Sequence, residues 1–202
     1  MTFRELLLLG LVGWTAVGHL GVALSFAMQQ REKALRHLGW IGGVWAVYLA
    51  ALLVTSLLQP QKTVAIGQRQ CFDEMCFTVT GADEMPGYLI RDSSRLVRVK
   101  VSVTNRGHHT ESESILEAYL IDRQGRRWNE VPGLTGVRLT TRVPAGGSVV
   151  SEPVFKVAGS ASGLGLVFTH GWKQPGVLVL GGSDSLLHKR TVVWLGDRSA
   201  QN

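Results

Sequence analysis

The sequence predicts a transmembrane helical hairpin followed by an all-β sandwich, and three observations carry that fold class. Residues 6–28 and 38–58 contain no Asp, Glu, Lys or Arg. Each run reaches the roughly 20 apolar residues that a helix rising about 1.5 Å per residue needs to cross about 30 Å of hydrocarbon. From residue 64 on, apolar residues recur in short alternating runs separated by Gly, Pro, Asn and Asp, which is the pattern of strands and turns. An open sheet leaves edge groups that lipid cannot satisfy, so this second part belongs in water. The expected organisation is a hairpin over 1–58 (helices 6–28 and 38–58), a linker at 59–63, a sandwich over 64–198 and a polar tail at 199–202.

The first helix is rich in small residues: Gly10, Gly13, Gly18, Gly21, Ala23 and Ala27. The second carries Gly39-x3-Gly43 and Gly42-x3-Ala46-x3-Ala50. Small residues four apart make a flat stripe along which two helices approach closely in lipid. Packing the hairpin on itself uses one such face, and the second stripe offers a surface to another membrane helix. Arg36 and Trp40 stand where an interfacial anchor is expected. The connector 29–37 carries Arg31, Lys33 and Arg36 against Glu32, while the N-terminus offers Arg4 beside Glu5. The excess of positive charge puts the connector in the cytoplasm, and the N-terminus and sandwich outside. Residues 1–27 also carry a signal-peptide feature, the small-x-small site Ser25-Phe26-Ala27. The run is longer than a usual signal core, which favours a retained helix.

His19 is the ionisable group well inside a span, where such groups usually face protein. It has two readings. One is an axial ligand for a haem or a chlorophyll-type pigment. The other is a hydrogen bond within the hairpin, because antiparallel pairing sets His19 level with Val47 and Tyr48. The absence of a second matched ligand favours the Tyr48 hydrogen bond.

Gln59-Pro60-Gln61-Lys62 ends the second helix, since Pro60 cannot continue its hydrogen-bond ladder. Cys71 and Cys76 suit the two sides of a tight hairpin, 68–71 and 76–80, turning at Phe72-Asp73-Glu74-Met75. Opposed strand positions lie about 4.5 Å apart, within disulfide range. Free thiols and a metal site are the alternatives, although zinc would want two further ligands nearby. The strongest strand is 96–104, where Val97, Val99, Val101 and Val103 make one face and Arg98, Lys100, Ser102 and Thr104 the other. Asn105-Arg106-Gly107 breaks it. A hairpin follows, 115–121 into 126–130, with Gly125 placed for a left-handed turn. Further strands are expected at 64–66, 137–143, 149–157, 164–169, 177–180 and 191–195. Many short strands punctuated by Gly and Pro argue for a sandwich.

The run Val99-Lys100-Val101-Ser102-Val103-Thr104-Asn105-Arg106-Gly107 resembles the V-x-V-x-N-x-G strand of bacterial membrane-anchored extracytoplasmic immunoglobulin-like domains of unknown function. Leu120-Ile121-Asp122-Arg123-Gln124-Gly125-Arg126-Arg127-Trp128 is similar to the hairpin that follows in such domains. Pro144–Ser148 and Val154-Phe155-Lys156-Val157 are similar to their next turn and strand. The resemblance covers roughly residues 95–168. It implies an immunoglobulin-like sandwich on the periplasmic side of a bacterial inner membrane, and its motifs specify turns and core positions, not ligands.

Charge and motifs narrow the function. From residue 59 on there are 17 Lys/Arg against 13 Asp/Glu, spread without a basic stripe. Nucleic-acid binding would want a clustered patch or a recognition helix. His108-His109 with Glu111 and Glu113 fits no zinc spacing, even if His170 or His188 joined them. Asp73-Glu74 and Asp83-Glu84 lack the Gly-centred loop of a calcium site. Ser183-Asp184-Ser185 and His188 contain the residue types of a triad but not the G-x-S-x-G elbow. No enzyme is expected. A single helix would suffice as a tether, so the doubled anchor points to a non-catalytic accessory subunit of a larger integral membrane complex, respiratory or photosynthetic. Its partners would be the bilayer and the helices of other subunits. The alternative is a membrane-anchored module that binds or senses a peptide, glycan or other ligand outside the cell.

Overall fold

A computed structural model describes residues 3–85, 93–171, 175–181 and 185–196. The expected tail at 199–202, the last residues of the expected sandwich, and Trp172, Ser183 and Asp184 lie outside the described residues. The chain forms two compact units, Met1–Pro60 with Gln174–Lys189, and Gln61–Lys173 with Arg190–Asn202.

In the first unit, α1 (Phe3–Ala27) and α2 (Arg31–Leu58) form an antiparallel pair. The turn between them is shorter than the expected connector. Gln29 takes a left-handed conformation (φ 58°), and Gln30 N–H donates to the Ser25 carbonyl. Arg31–His37 is helical because its Arg, Glu, Lys, Ala and Leu residues are good helix formers. Charge marks where an apolar run stops, not where a helix does. At the other end the Gln59 N–H still reaches the Thr55 carbonyl before Pro60 closes the helix.

At 100° per residue, Ala34, Ile41, Tyr48, Leu52 and Ser56 fall on one stripe of α2, and these are its buried residues. Leu8 and Val22 are the buried residues of α1. A side chain on Gly18 would come within 2.9 Å of the Ile41 side chain, so this glycine sets the close approach of the two helices. Leu9, Val12, Val17, Leu20 and Leu24 on α1, and Val47, Val54 and Leu57 on α2, are exposed.

The second unit is a β-sandwich. Its strands are β1 (Thr63–Val64), β2 (Arg69–Phe72), β3 (Met75–Glu84), β4 (Ser94–Asn105), β5 (Glu117–Ile121), β6 (Arg127–Asn129), β7 (Ser148–Ser151), β8 (Val154–Ala158), β9 (Gly165–Thr169) and β10 (Val192–Trp194). One sheet has the order β1-β10-β9-β5-β6, with β1 parallel to β10. The other has the order β2-β3-β4-β7, and β8 also pairs with β4. The valine face of β4 meets Phe77, Leu120, Leu166 and Phe168 in one core cluster. Val99, Val101 and Val103 are fully buried, each stabilising the fold by roughly 1.5–3 kcal/mol. On the wet face Arg98 is bound to Asp83 at 2.6 Å and lies 3.7 Å from Glu152.

Three expected strands differ. The 149–157 run is split into β7 and β8 at Glu152-Pro153, because proline offers no N–H to the ladder. The 137–143 run is irregular, and its Val143 makes an isolated bridge with Glu111 outside the named strands. The Ser151 hydroxyl, donating to the Val137 carbonyl at 2.7 Å, ties it down instead. The 177–180 run is not a strand. Its first residues lie in a 3-10 turn, Pro175–Leu178, which belongs to the helical unit.

Candidate functional site

The hairpin is the most informative surface, and its small residues are not where the helices meet. On the same 100° wheel, Gly39, Gly43, Ala46 and Ala50 lie opposite the stripe that holds Ile41 and Tyr48. A side chain built on Gly39, Gly42 or Gly43 would meet nothing within 4 Å, and Ala46 and Ala50 are exposed. Neither stripe packs against α1, which corrects the expectation that one would. Gly39 and Gly43 instead floor a shallow apolar groove walled by Arg36, Trp40, Val44 and Val47.

The bond expected between His19 and Tyr48 is not formed. His19 is exposed, and its Nδ1 lies 2.8 Å from the Thr15 carbonyl one turn earlier. The Tyr48 hydroxyl donates to the Leu178 carbonyl at 2.6 Å. A different polar pair ties the helices together. Trp45 Nε1–H donates to Thr15 Oγ at 2.9 Å, and Thr15 Oγ–H donates in turn to the Leu11 carbonyl at 2.7 Å. A threonine in one helix and a tryptophan in the other are unremarkable in sequence, and only a register between the helices could have matched Thr15 with Trp45.

The segment that was expected to be a strand docks on the helices. Leu178, Val179, Leu180 and Leu186 pack around Leu8, Leu11, Trp45, Tyr48 and Leu52. Ser56 and Ser185 hydroxyls lie 3.1 Å apart in a buried contact, and Arg4 donates to the Gly181 carbonyl at 2.8 Å. Leu186 N–H donates to the Val177 carbonyl at 2.9 Å, closing the segment on itself.

In the sandwich, Cys71 and Cys76 form a disulfide, directly opposed across β2 and β3 with Cα atoms 4.0 Å apart. The strands continue to Phe72 and from Met75, so the turn is tighter than expected, with Asp73 left-handed. His108 and His109 are exposed on the loop after β4. Of the expected group the structure brings His170 to Glu113, with Nε2 3.3 Å from the carboxylate, and the His170 ring lies edge-on to Phe72. Among the described residues no group of three metal-ligating side chains comes together.

Two polar devices hold the loops. Asn105 is fully buried, donates to the His109 and Val143 carbonyls and accepts from Gly107 N–H. Asp122 accepts from Gln124 N–H, Arg126 N–H and Arg126 Nε–H. Burial pushes the Asp122 carboxyl up, but the Arg126 bonds outweigh it and its pKa is lowered. A pocket of about 270 Å³ opens beside Asp83, Glu84, Arg95, Gly163 and Leu195. Arg95 is bonded there to Glu84 at 2.6 Å and to the Ala161 carbonyl at 2.7 Å.

No family profile matches the chain, and no curated protein is detectably similar to it. Among solved structures it is similar to an uncharacterised β-sandwich protein from Clostridium difficile (13% identity, 55% of this chain and 89% of that one, TM-score 0.42). It is also similar to the secreted protein MPT63 from Mycobacterium tuberculosis (9% identity, 67% and 98%, TM-score 0.44). A third is the yjhA protein from Bacillus subtilis (18% identity, 59% and 85%, TM-score 0.38). The first of these is a β-sandwich protein and the second a secreted protein.

Proposed function

We propose that this protein is a non-catalytic accessory subunit that stabilises a larger integral membrane complex. In this reading α1 and α2 span a bacterial inner membrane, and the sandwich, of immunoglobulin-like type, stands on the extracytoplasmic side. The exposed Leu and Val residues of both helices support lipid or protein contact in place of water, because a soluble core helix would bury them. The charge of Arg31, Lys33 and Arg36 in the cytoplasm and the Cys71–Cys76 disulfide outside are mutually consistent. Retention of α1 is supported by Leu8 and Leu11, which share a cluster with Leu52 and Leu178.

The observation that carries the reading is the unused face of α2. Gly39, Gly43, Ala46 and Ala50 make the kind of surface on which a second membrane helix packs closely, and the hairpin leaves it open. A respiratory or photosynthetic assembly is the natural setting. His19, held at Nδ1 by a backbone carbonyl, would then present Nε2 outward as a haem or pigment ligand would. Exchanging Gly43 and Ala46 together for Leu should release the protein from its complex in mild detergent while the opposite seam keeps the hairpin folded. Unchanged assembly would refute the packing role.

The second reading is a binding or sensing module, favoured by the pocket beside Arg95. It predicts a protein that purifies alone and loses its peptide or glycan ligand when Arg95 is replaced by Ala.

A further inference from the structure

We infer that residues 175–181 and 185–188 belong to a re-entrant membrane element that enters the outer leaflet alongside the hairpin; this rests on the membrane-spanning reading above. The level of the segment is read from what it touches. Leu178 receives its hydrogen bond from Tyr48, and Tyr48 stands ten residues before Leu58, the last residue of α2. At 1.5 Å per residue that is about 15 Å along the helix, half the thickness of the hydrocarbon core. Ser185 meets Ser56, close to the helix end, and Gly181 meets Arg4 in the first turn of α1. The segment therefore dips to the middle of the hairpin and returns.

Backbone that is not helical survives at that depth only when its polar groups are satisfied by protein. Three carbonyls of the segment meet it. The Leu178 carbonyl is capped by Tyr48, the Gly181 carbonyl by Arg4 and the Val177 carbonyl by Leu186 N–H. The side chains agree. Leu178, Val179, Leu180 and Leu186 face the helices, while Leu187 is 59% exposed. Leu187 also holds a left-handed backbone (φ 59°), an uncommon conformation for a bulky residue, which turns it outward. An outward leucine costs nothing in lipid and gains nothing in water. In sequence, the apolar run Val177–Leu180 follows Trp172-Lys173, and Leu186-Leu187 precedes His188-Lys189-Arg190, the aromatic and basic types that anchor at headgroups, with Asp184 between the two apolar stretches.

The test uses the full chain in phosphatidylcholine–phosphatidylglycerol vesicles, with nitroxide labels at single cysteines. The native cysteines are paired and do not compete. Val47→Cys reports the hairpin, Leu187→Cys the segment, and Val150→Cys, exposed on the sandwich, the aqueous reference. Labels at positions 47 and 187 should both show an oxygen-to-nickel-chelate accessibility ratio several-fold above that at 150. If 47 is shielded and 187 matches 150, the segment lies in water and the inference fails with the hairpin reading intact. If 47 also matches 150, the membrane-spanning reading fails and takes the inference with it.

Discussion

Replacing Asn105 with Ala should cost the sandwich about 3–5 kcal/mol. Asn105 is completely buried and uses three of its hydrogen-bonding sites within the protein. Alanine would leave the buried Gly107 N–H without a partner, which costs about 1–3 kcal/mol. The Val143 carbonyl would fare better, because it also accepts from Glu111 N–H at 3.1 Å. The His109 carbonyl sits on an exposed residue and can turn to water. Those two losses together add about 1 kcal/mol, and the space left by the amide contributes about as much again. The loop has little freedom to refill that space, since a side chain on Gly107 would collide with Glu74 and Arg106 N–H is already bound to the Glu74 carbonyl. For a domain of this size, 1 kcal/mol shifts Tm by about 3–5 °C, so the drop should be about 10–25 °C. The assay is thermal unfolding of the whole chain in detergent, followed by circular dichroism at a sheet wavelength. Asn105→Asp retains an acceptor for Gly107 but sets a carboxylate against two carbonyls, and should be no more stable than the alanine variant. A loss below about 1 kcal/mol for Asn105→Ala would mean that water replaces these bonds, and the role assigned to Asn105 would be wrong.

Asp122→Asn should destabilise by about 1–2 kcal/mol at neutral pH by removing the charge from the Arg126 bonds. The lowered pKa of Asp122 stabilises the fold above its ordinary value of 3.8, and this is lost as pH falls below that toward the folded value. The gap between wild type and variant should therefore narrow in denaturant titrations below that pH. Gly18→Leu should separate α1 from α2, read as loss of a disulfide crosslink between cysteines introduced at Val22 and Ala34, whereas Gly18→Ala should be tolerated because only the flexible end of Ile41 must move. Tyr48→Phe should loosen residues 175–181 and 185–188, seen as greater mobility of a nitroxide at position 187 with none at 150. The expected cost is about 1 kcal/mol, as for a single hydrogen bond.

Much of the architecture is legible in the residues. The two uncharged runs mark the helices, the four valines mark the central strand, and Asp122 with Gly125 (φ 82°) marks a turn that forms as read. What could not be read is which surface an apolar run meets. Val177-Leu178-Val179-Leu180 has the composition of a strand, but its partners are Leu8 and Leu52, more than a hundred residues away. The Gly and Ala stripes of α2 have the composition of a helix seam, yet the seam runs through Ile41 and Tyr48, where Gly18 supplies the close approach from the other side. His19 and Tyr48 looked level on an idealised hairpin. The Thr15–Trp45 bond and the Gly18–Ile41 contact instead put His19 level with residues near Ile41, about two turns from Tyr48, and each bonds a nearer carbonyl, at Thr15 and Leu178.

The most direct test of the central claim is a mild-detergent pull-down of the full chain from native membranes, with an absorption spectrum of the eluate. The accessory-subunit account predicts a large complex of fixed stoichiometry, and haem or pigment bands in it would direct attention to His19. A colourless protein that elutes alone would contradict the account.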